Sequence, residues 1–293
     1  MKKKLLAIIG VACVLCLSAV LLAGCGGTST ESASEESAAT EETASTAAST
    51  EATDDSADIT DFIVGFDQSY PPYGFVGDDG EYTGFDLDLA QAVCEKNGWN
   101  LQLEAIDWDA KDALIESGAI TCIWNGFTME GREDNYTFSD PYMLNGQVIV
   151  TAADSDINSL EDLAGKAVVT QVDSAALDVL EGDQADLAAT FASLDTIADY
   201  NNAFVMLQSG QVDAVACDLS IAEYQMAANE GMYKQLDETL SDEHYAVGFL
   251  KGNDALAQKV TETLKQLNED GTVQELCDKY SEYGISYENW LIK

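Results

Sequence analysis

What most constrains this chain is an alternation. From Phe62 to Cys217, short apolar runs take turns with segments of helical period. Phe62–Phe66, Ala119–Trp124, Ala167–Gln171 and Val212–Cys217 have the length and composition of strands buried on both faces, and Leu101–Ala105 alternates like a strand with one face covered. Between them, GFDLDLAQAVCEKNG (Gly84–Gly98) sets Leu87, Ala90, Val93 and Cys94 on one helical face, and Gly98 supplies the stop. Trp108–Gly118, Leu160–Lys166, Ser174–Leu180 and Thr196–Gly210 read as further helices. After the apolar run Tyr245–Leu250, two more are expected at about Asp254–Asp270 and Val273–Tyr283. Strands alternating with helices build βαβ units, hence an α/β class with mainly parallel sheets flanked by helices. The series runs once, restarts after about residue 159, and then returns.

Folding is expected to begin only near Ile59. Met1–Lys4 carries three lysines, Leu5–Ala23 is an apolar run, and LAGC (Leu22–Cys25) closes it with small residues. A basic start, an apolar run and a small-residue cleavage site make a secretion signal over 1–24. The run is long enough to cross a bilayer, but no basic stop-transfer cluster follows it. LAGC resembles the bacterial lipobox, in which Cys25 becomes the lipidated N-terminus; two or more acyl chains anchor a protein stably. Residues 26–58 are Gly, Ser, Thr, Ala, Glu and Asp, too polar to offset the entropy of ordering. Residues 25–58 are therefore expected to form a lipidated, acidic tether, and to place the protein at the cell membrane facing the extracytoplasmic side.

The formal charge of −40 argues against nucleic-acid binding, which needs clustered Lys and Arg, and favours a soluble monomer. Of seven cysteines, Cys13 and Cys16 fall in the leader. Cys94, Cys122, Cys217 and Cys277 show no CxxC spacing, and His244 is the one histidine, so no metal site is expected. Cys122 and Cys217 read as buried thiols. Cys94 and Cys277 either pair or remain buried thiols.

From Ile59 to the C-terminal end, an ordered series of motifs resembles the amino-acid-binding proteins of polar amino-acid ABC transporters, solute-binding protein family 3. VGFDQSYPPYGF (Val64–Phe75) looks like the family's opening strand and ligand loop, and GEYTGFDLDLAQAV (Gly80–Val93) like its helix opening. IDWDAKDALIESGAI (Ile106–Ile120), FSDPY (Phe138–Tyr142), SLEDLAGKAV (Ser159–Val168), GQVDAVACD (Gly210–Asp218) and NEDGTVQELCDKY (Asn268–Tyr280) follow in the family's order. The resemblance implies a two-lobe, periplasmic-binding-protein-like (type II) fold with a ligand cleft between lobes. Lobe 1 would take 59–148 plus 249–293, and lobe 2 would take 149–248. It implies capture of a free amino acid, delivery to an ABC transporter permease, no cofactor and no catalysis.

A zwitterionic amino acid must find partners for both charges, because burying either alone costs several kcal/mol. Arg132 is the sole arginine, and a guanidinium meets a carboxylate bidentately. It matches the family's carboxylate-binding arginine, against the alternative of a surface pair with Glu133 or Asp134. The family pattern T-x-T-x-x-R appears here one residue shorter, as TMEGR (Thr128–Arg132). Thr128 is expected to touch the ligand's carboxylate or ammonium, with backbone groups of Asn125 and Gly126 facing the ammonium. Ser174 and Ala175 open a helix whose N–H groups favour an anion. Before them stands Asp173, where the family often has glycine. Asp218 matches the family's ammonium-binding aspartate, or else simply caps the helix Leu219–Met226. Tyr70, Tyr73, Trp108 and Phe127 would form the apolar walls, and Asp67 would face the ligand side chain, favouring a polar neutral or basic amino acid. Two alternatives remain: an enzyme on the same fold, like the cyclohexadienyl dehydratases, or an amino-acid sensor domain.

Overall fold

The computed structural model describes residues 59–293. The expected leader, Cys25 and the tether lie outside them. The chain opens with β1 (Asp61–Phe66), a small ribbon of β2 (Ser69–Tyr70), β3 (Gly74–Val76) and β4 (Tyr82–Thr83), then α1 (Phe85–Asn97), β5 (Asn100–Ala105), α2 (Lys111–Glu116), β6 (Cys122–Ile123) and β7 (Tyr136–Phe138). A long strand β8 (Met143–Ala152) leads to β9 (Ala167–Gln171), α3 (Ala175–Glu181), α4 (Ala185–Ala188), β10 (Ser193–Ile197), α5 (Tyr200–Gln208), β11 (Ala214–Asp218) and α6 (Leu219–Ala228). A second long strand β12 (Tyr233–Tyr245) returns to β13 (Gly248–Leu250), α7 (Asp254–Glu269) and α8 (Thr272–Lys279).

Two five-stranded sheets result, ordered β5-β1-β6-β13-β7 and β10-β9-β11-β8-β12. Each puts its first strand between the second and third in parallel, then adds a reversed strand and a last one antiparallel to it. In each sheet one strand alone runs against the rest, β8 in one and β13 in the other; the chain crosses into the second lobe on β8 and returns on β12, which leads into β13. The crossing strands remain tied to the first lobe at their near ends, where Met143 bridges to Trp290 and Thr128 to Tyr245.

Local signals explain most of the elements. In α1 the expected apolar face is buried, and Gly98 ends the helix at φ 70, a left-handed conformation that costs glycine little. β5 alternates half-buried and exposed, as its sequence pattern requires. Cys94, Cys122, Cys217 and Cys277 are all buried free thiols.

Five expected elements differ. The helix expected over Leu160–Lys166 is a single 3-10 turn, Leu160–Leu163, after which the chain passes into β9. The helix expected over Thr196–Gly210 begins at Tyr200, because the Asp199 side chain caps it by accepting from Asn202 N–H; Ser193–Ile197 before it is β10, parallel to β9. Trp108–Gly118 divides into a 3-10 turn, Trp108–Ala110, and α2. The strand expected over Ala119–Trp124 narrows to the two residues of β6 that find partners on both sides. The last helix ends at Lys279, followed by a separate 3-10 turn at Ser281–Tyr283.

Candidate functional site

The site forms where loops from both sheets meet the crossing strands. A small cavity there is lined by Tyr70, Trp108, Gly126, Thr128, Arg132, Gln171, Ser174, Ala175 and Asp218. Eight of these nine are residues the sequence marks out; Gln171 is the addition. The cavity's free volume is about 10 Å³, about the room one water needs.

Arg132 stands at one side. The residue is 8 % exposed, and its guanidinium lies 5.0 Å from the centre of the Phe127 ring. Neither Glu133 nor Asp134 pairs with it. Nη2 donates to Asp178 Oδ2 at 2.9 Å and to the Asp173 carbonyl at 3.3 Å, and Nη1 reaches the Thr128 carbonyl at 3.5 Å. Trp108 Nε1 donates to the same Asp173 carbonyl at 3.1 Å. Asp173 itself sits at φ 52, which accounts for a position where glycine is the easy choice and an aspartate is tolerated. Its carboxylate turns toward Lys111, 3.7 Å away.

Asp218 stands at the other side, at the end of β11. It occupies the N-cap position of α6, but its side chain makes no cap hydrogen bond. Instead Oδ1 accepts from Gln147 Nε2 at 2.7 Å, Tyr245 OH at 2.9 Å and Asn145 Nδ2 at 3.1 Å. Among the described residues no hydrogen bond reaches Oδ2. Asn145 and Gln147 project from one face of β8, two residues apart, as the strand's period demands. The same two amides also donate to Glu243 Oε1 from β12, at 2.6 and 2.7 Å, and Thr128 Oγ1 adds a third bond at 2.9 Å. Burial and the neighbouring Asp218 charge raise the Glu243 carboxyl to about 8.

Ser174 caps α3 by accepting from Leu177 N–H at 3.2 Å, so Ala175 begins the helix at the cavity wall. Gly126 lines the cavity at φ 57, and a Cβ there would come 3.0 Å from Tyr245 and 3.1 Å from Tyr70. Its N–H is already given to Asp86 Oδ2 at 2.6 Å and does not point at a ligand. Asn125, Tyr73 and Phe127 do not line the cavity. Asn125 Oδ1 accepts from Asp67 N–H at 2.9 Å and so fixes the loop after β1. Tyr73 packs edge-on against Tyr245 and Phe85. Phe127 packs on Trp108, Tyr136 and Phe138, supporting the wall from behind.

Asp67 faces a neighbouring cleft of about 420 Å³ that shares Trp108 with the inner cavity. Its oxygens accept from Ser69 N–H and Gln171 Nε2, each at 2.7 Å. Burial, chiefly, with Asp199 and Asp107 adding to it, raises its carboxyl above the usual range. This cleft also carries Asp107, Asp109 and Asp199 and, among the described residues, no Lys or Arg. On the far side a larger cleft of about 730 Å³ opens past Thr128, Arg132 and Ala175, with eight carboxylates against Lys111 and Arg132.

Sequence reading missed Gln171, Asn145, Gln147 and Glu243. The first three interrupt apolar runs with an amide, a signal that a buried polar contact exists. Glu243 lies among surface acids and carries no such mark.

Two α/β lobes, each with one reversed strand, and a polar cavity between them define a type II periplasmic-binding-protein-like fold. Residues 62–283 match the family model of bacterial extracellular solute-binding proteins, family 3, and the chain belongs to that family. Among characterised relatives it is similar to the L-cystine-binding protein TcyJ of Escherichia coli (strain K12), 28 % identical over 74 % of this chain and 81 % of that protein. Among solved structures it is similar to an ABC uptake transporter substrate-binding protein from Streptococcus pneumoniae with bound histidine. That match has a TM-score of 0.74 and 33 % identity, and covers 78 % of this chain and 94 % of the other. An ancestral arginine-binding protein bound to arginine gives a TM-score of 0.70 and 34 % identity, over 75 % of this chain and 97 % of the other.

Proposed function

We propose that this chain is the amino-acid-binding component of an ABC importer, held at the extracytoplasmic face by lipidated Cys25. One observation carries the ligand class: Arg132 and Asp218 line the same cavity without bonding to each other. A cation and a carboxylate so placed match the two charges of an α-amino acid. Arg132 takes the α-carboxylate, helped by N–H groups at the start of α3 and by Thr128. Asp218 takes the ammonium through Oδ2.

The ligand side chain extends past Tyr70 and Trp108 toward Asp67. A cleft walled by Asp67, Asp107, Asp109 and Asp199 repels an acidic side chain and attracts an ammonium, a guanidinium or an amide donor. The ligand is therefore a polar neutral or basic amino acid. A cavity with room for about one water admits such a ligand only if the lobes part. The lobes, 59–148 with 249–293 and 149–248, hinge on β8 and β12, and ligand shifts the population to the closed form. The names of the relatives, a cystine-binding protein and substrate-binding proteins of uptake transporters, agree with binding without turnover.

Calorimetric titration with arginine, lysine, histidine, glutamine and glutamate tests this reading. Tight binding of one of the first four is expected. Glutamate binding tightest would overturn the side-chain assignment, and no binding by any free amino acid would overturn the function.

A further inference from the structure

The ammonium end of the site has two carboxylates where the ligand offers one positive charge. Asp218 Oδ1 and Glu243 Oε1 share both amide donors, Asn145 Nδ2 and Gln147 Nε2. Two bonds of 2.7 Å through Gln147 keep these oxygens within twice 2.7 Å of each other. Glu243 is 2 % exposed and Asp218 is 4 % exposed. Among the described residues, neither is within 4 Å of a Lys or Arg nitrogen. Among the described residues Gln147 Oε1 is buried with no partner, and the amide presents its donor end to both carboxylates. Three donors on one oxygen of each group leave the other oxygen of each open to a proton or a cation.

We propose that Glu243 is a proton-exchanging positioning residue of the amino-acid site: its carboxyl carries a proton before binding and releases it to solvent as the ligand's ammonium docks on Asp218. This rests on the proposed amino-acid reading. The step balances as protonated protein plus zwitterionic or basic amino acid giving complex plus one hydrogen ion, with no other bond made or broken.

The charged surroundings are consistent with this. From the β11–α6 junction Asp218 faces Glu243, and the burial of Glu243, with the Asp218 charge adding to it, raises the Glu243 carboxyl to about 8. β8 presents only the neutral Asn145 and Gln147, and the loop after β6 presents the Thr128 hydroxyl. From β12 itself come Asp242 and Tyr245. Tyr70 of β2 joins through the Tyr245 hydroxyl at 3.1 Å. In the cleft that Glu243 also lines stand Arg132 and Glu130, with Asp178 of α3 bonded to Arg132. A positive charge against Asp218 favours the ionised form of a carboxyl this close. Binding then draws off the proton, and affinity must rise with pH while Glu243 starts protonated.

The test is calorimetry on the full chain with L-arginine and with L-glutamine, whose side chains do not titrate between pH 6 and 8. It is run in phosphate and in Tris, buffers of very different ionisation enthalpy. For whichever of the two binds, the observed enthalpy is expected to differ between buffers by an amount corresponding to nearly one proton released at pH 7. The apparent Kd should fall by up to tenfold per pH unit from pH 6 toward 8 and then level. Glu243→Gln, checked for folding by its thermal transition, should bind with the same enthalpy in both buffers and a pH-independent Kd. Wild-type binding with no buffer dependence would overturn the proposal and leave the amino-acid reading standing. No binding in either buffer by any free amino acid would overturn both.

Discussion

Replacing Asp178 by Ala separates two roles that its bond to Arg132 combines. The Asp178 side chain is 61 % exposed, whereas that of Arg132 is 10 % exposed. An ion pair with one partner this exposed contributes about 0.2–1 kcal/mol. If the ligand carboxylate takes the position that Asp178 Oδ2 now holds at 2.9 Å, Asp178 is a competitor, and deleting it tightens binding. The gain is bounded by the strength of the lost pair, so Kd should fall by about 1.4- to 5-fold. Arg132→Ala must act in the opposite direction and more strongly. It strips a buried carboxylate of its cation, at about 3–5 kcal/mol, or roughly two to three and a half decades in Kd. The same variant also loses the stack on Phe127 and the donors to the Asp173 and Thr128 carbonyls, so its fold should be verified by a thermal transition before binding is read. Titration of both variants with the best amino acid decides the matter. Asp178→Ala weakening binding as much as Arg132→Ala would show that Asp178 helps to build the carboxylate pocket and does not compete for it.

Three further outcomes are expected. Asp86 is fully buried, and burial, offset in part by bonds from Tyr142 and Gly126, raises its carboxyl from 3.8 to about 7. The folded chain therefore keeps a proton that the unfolded chain loses across that window; this group's contribution to stability falls as pH rises from about 4 to 7 and is flat above. Asp86→Asn should accordingly be the more stable form at pH 8, by roughly 2–4 kcal/mol, with the advantage vanishing near pH 4 in urea unfolding; an equal difference at both pH values would refute this. Cys25→Ser should release the protein into the medium, and retention on membranes after a carbonate wash would make Met1–Ala23 an uncleaved span. Small-angle scattering should show a smaller radius of gyration at saturating amino acid, and an unchanged value would contradict closure on binding.

The parts legible in the sequence are those where one physical demand acts alone. α1, α7 and the strands β1, β9 and β11 bury one face or both and show the matching period. Arg132 and Asp218 are legible only through the family resemblance, because by position alone the arginine suits a surface pair with Glu133 or Asp134 and the aspartate suits a helix cap. The crossing strands escaped notice because they meet two demands at once. β8, MLNGQVIVTA, interrupts its apolar pattern with Asn145, Gly146 and Gln147. β12, YKQLDETLSDEHY, reads as a surface loop, and its ladder with β8 shifts register between Gln235 and Thr239 and again between Thr239 and Ser241. Asn145, Gln147 and Glu243 serve a buried polar network with Asp218, not an apolar core, so no hydrophobic period could reveal them. Thr196–Gly210 failed for a different reason. Its helix and the strand before it are joined by the Asp199 cap, and in sequence a capping aspartate looks the same as a polar residue on a helix's exposed face.

The two ends of the site are built differently, and this bears on how a ligand is captured. Asn145, Gln147, Glu243 and Tyr245 belong to the crossing strands. Their ladder is in register from Ser241↔Gln147 to Tyr245↔Met143, with Glu243 opposite Asn145. Asp218 is tied to the same ladder, pairing with Gln147. The acidic end is thus fixed by backbone hydrogen bonds that do not depend on the angle between lobes. At the basic end, Arg132 hangs from the loop between β6 and β7, and its partners Asp173 and Asp178 lie across the cleft, near and on α3. If the lobes part, as proposed, those contacts break and the acidic end stays in place. On the proposed reading, a ligand first docks its ammonium on a preformed pocket. Approach of α3 then completes the carboxylate pocket around Arg132. The stabilisation that favours the closed form therefore comes mainly from the carboxylate end, where ligand replaces an exposed side chain of the protein with a carboxylate of its own.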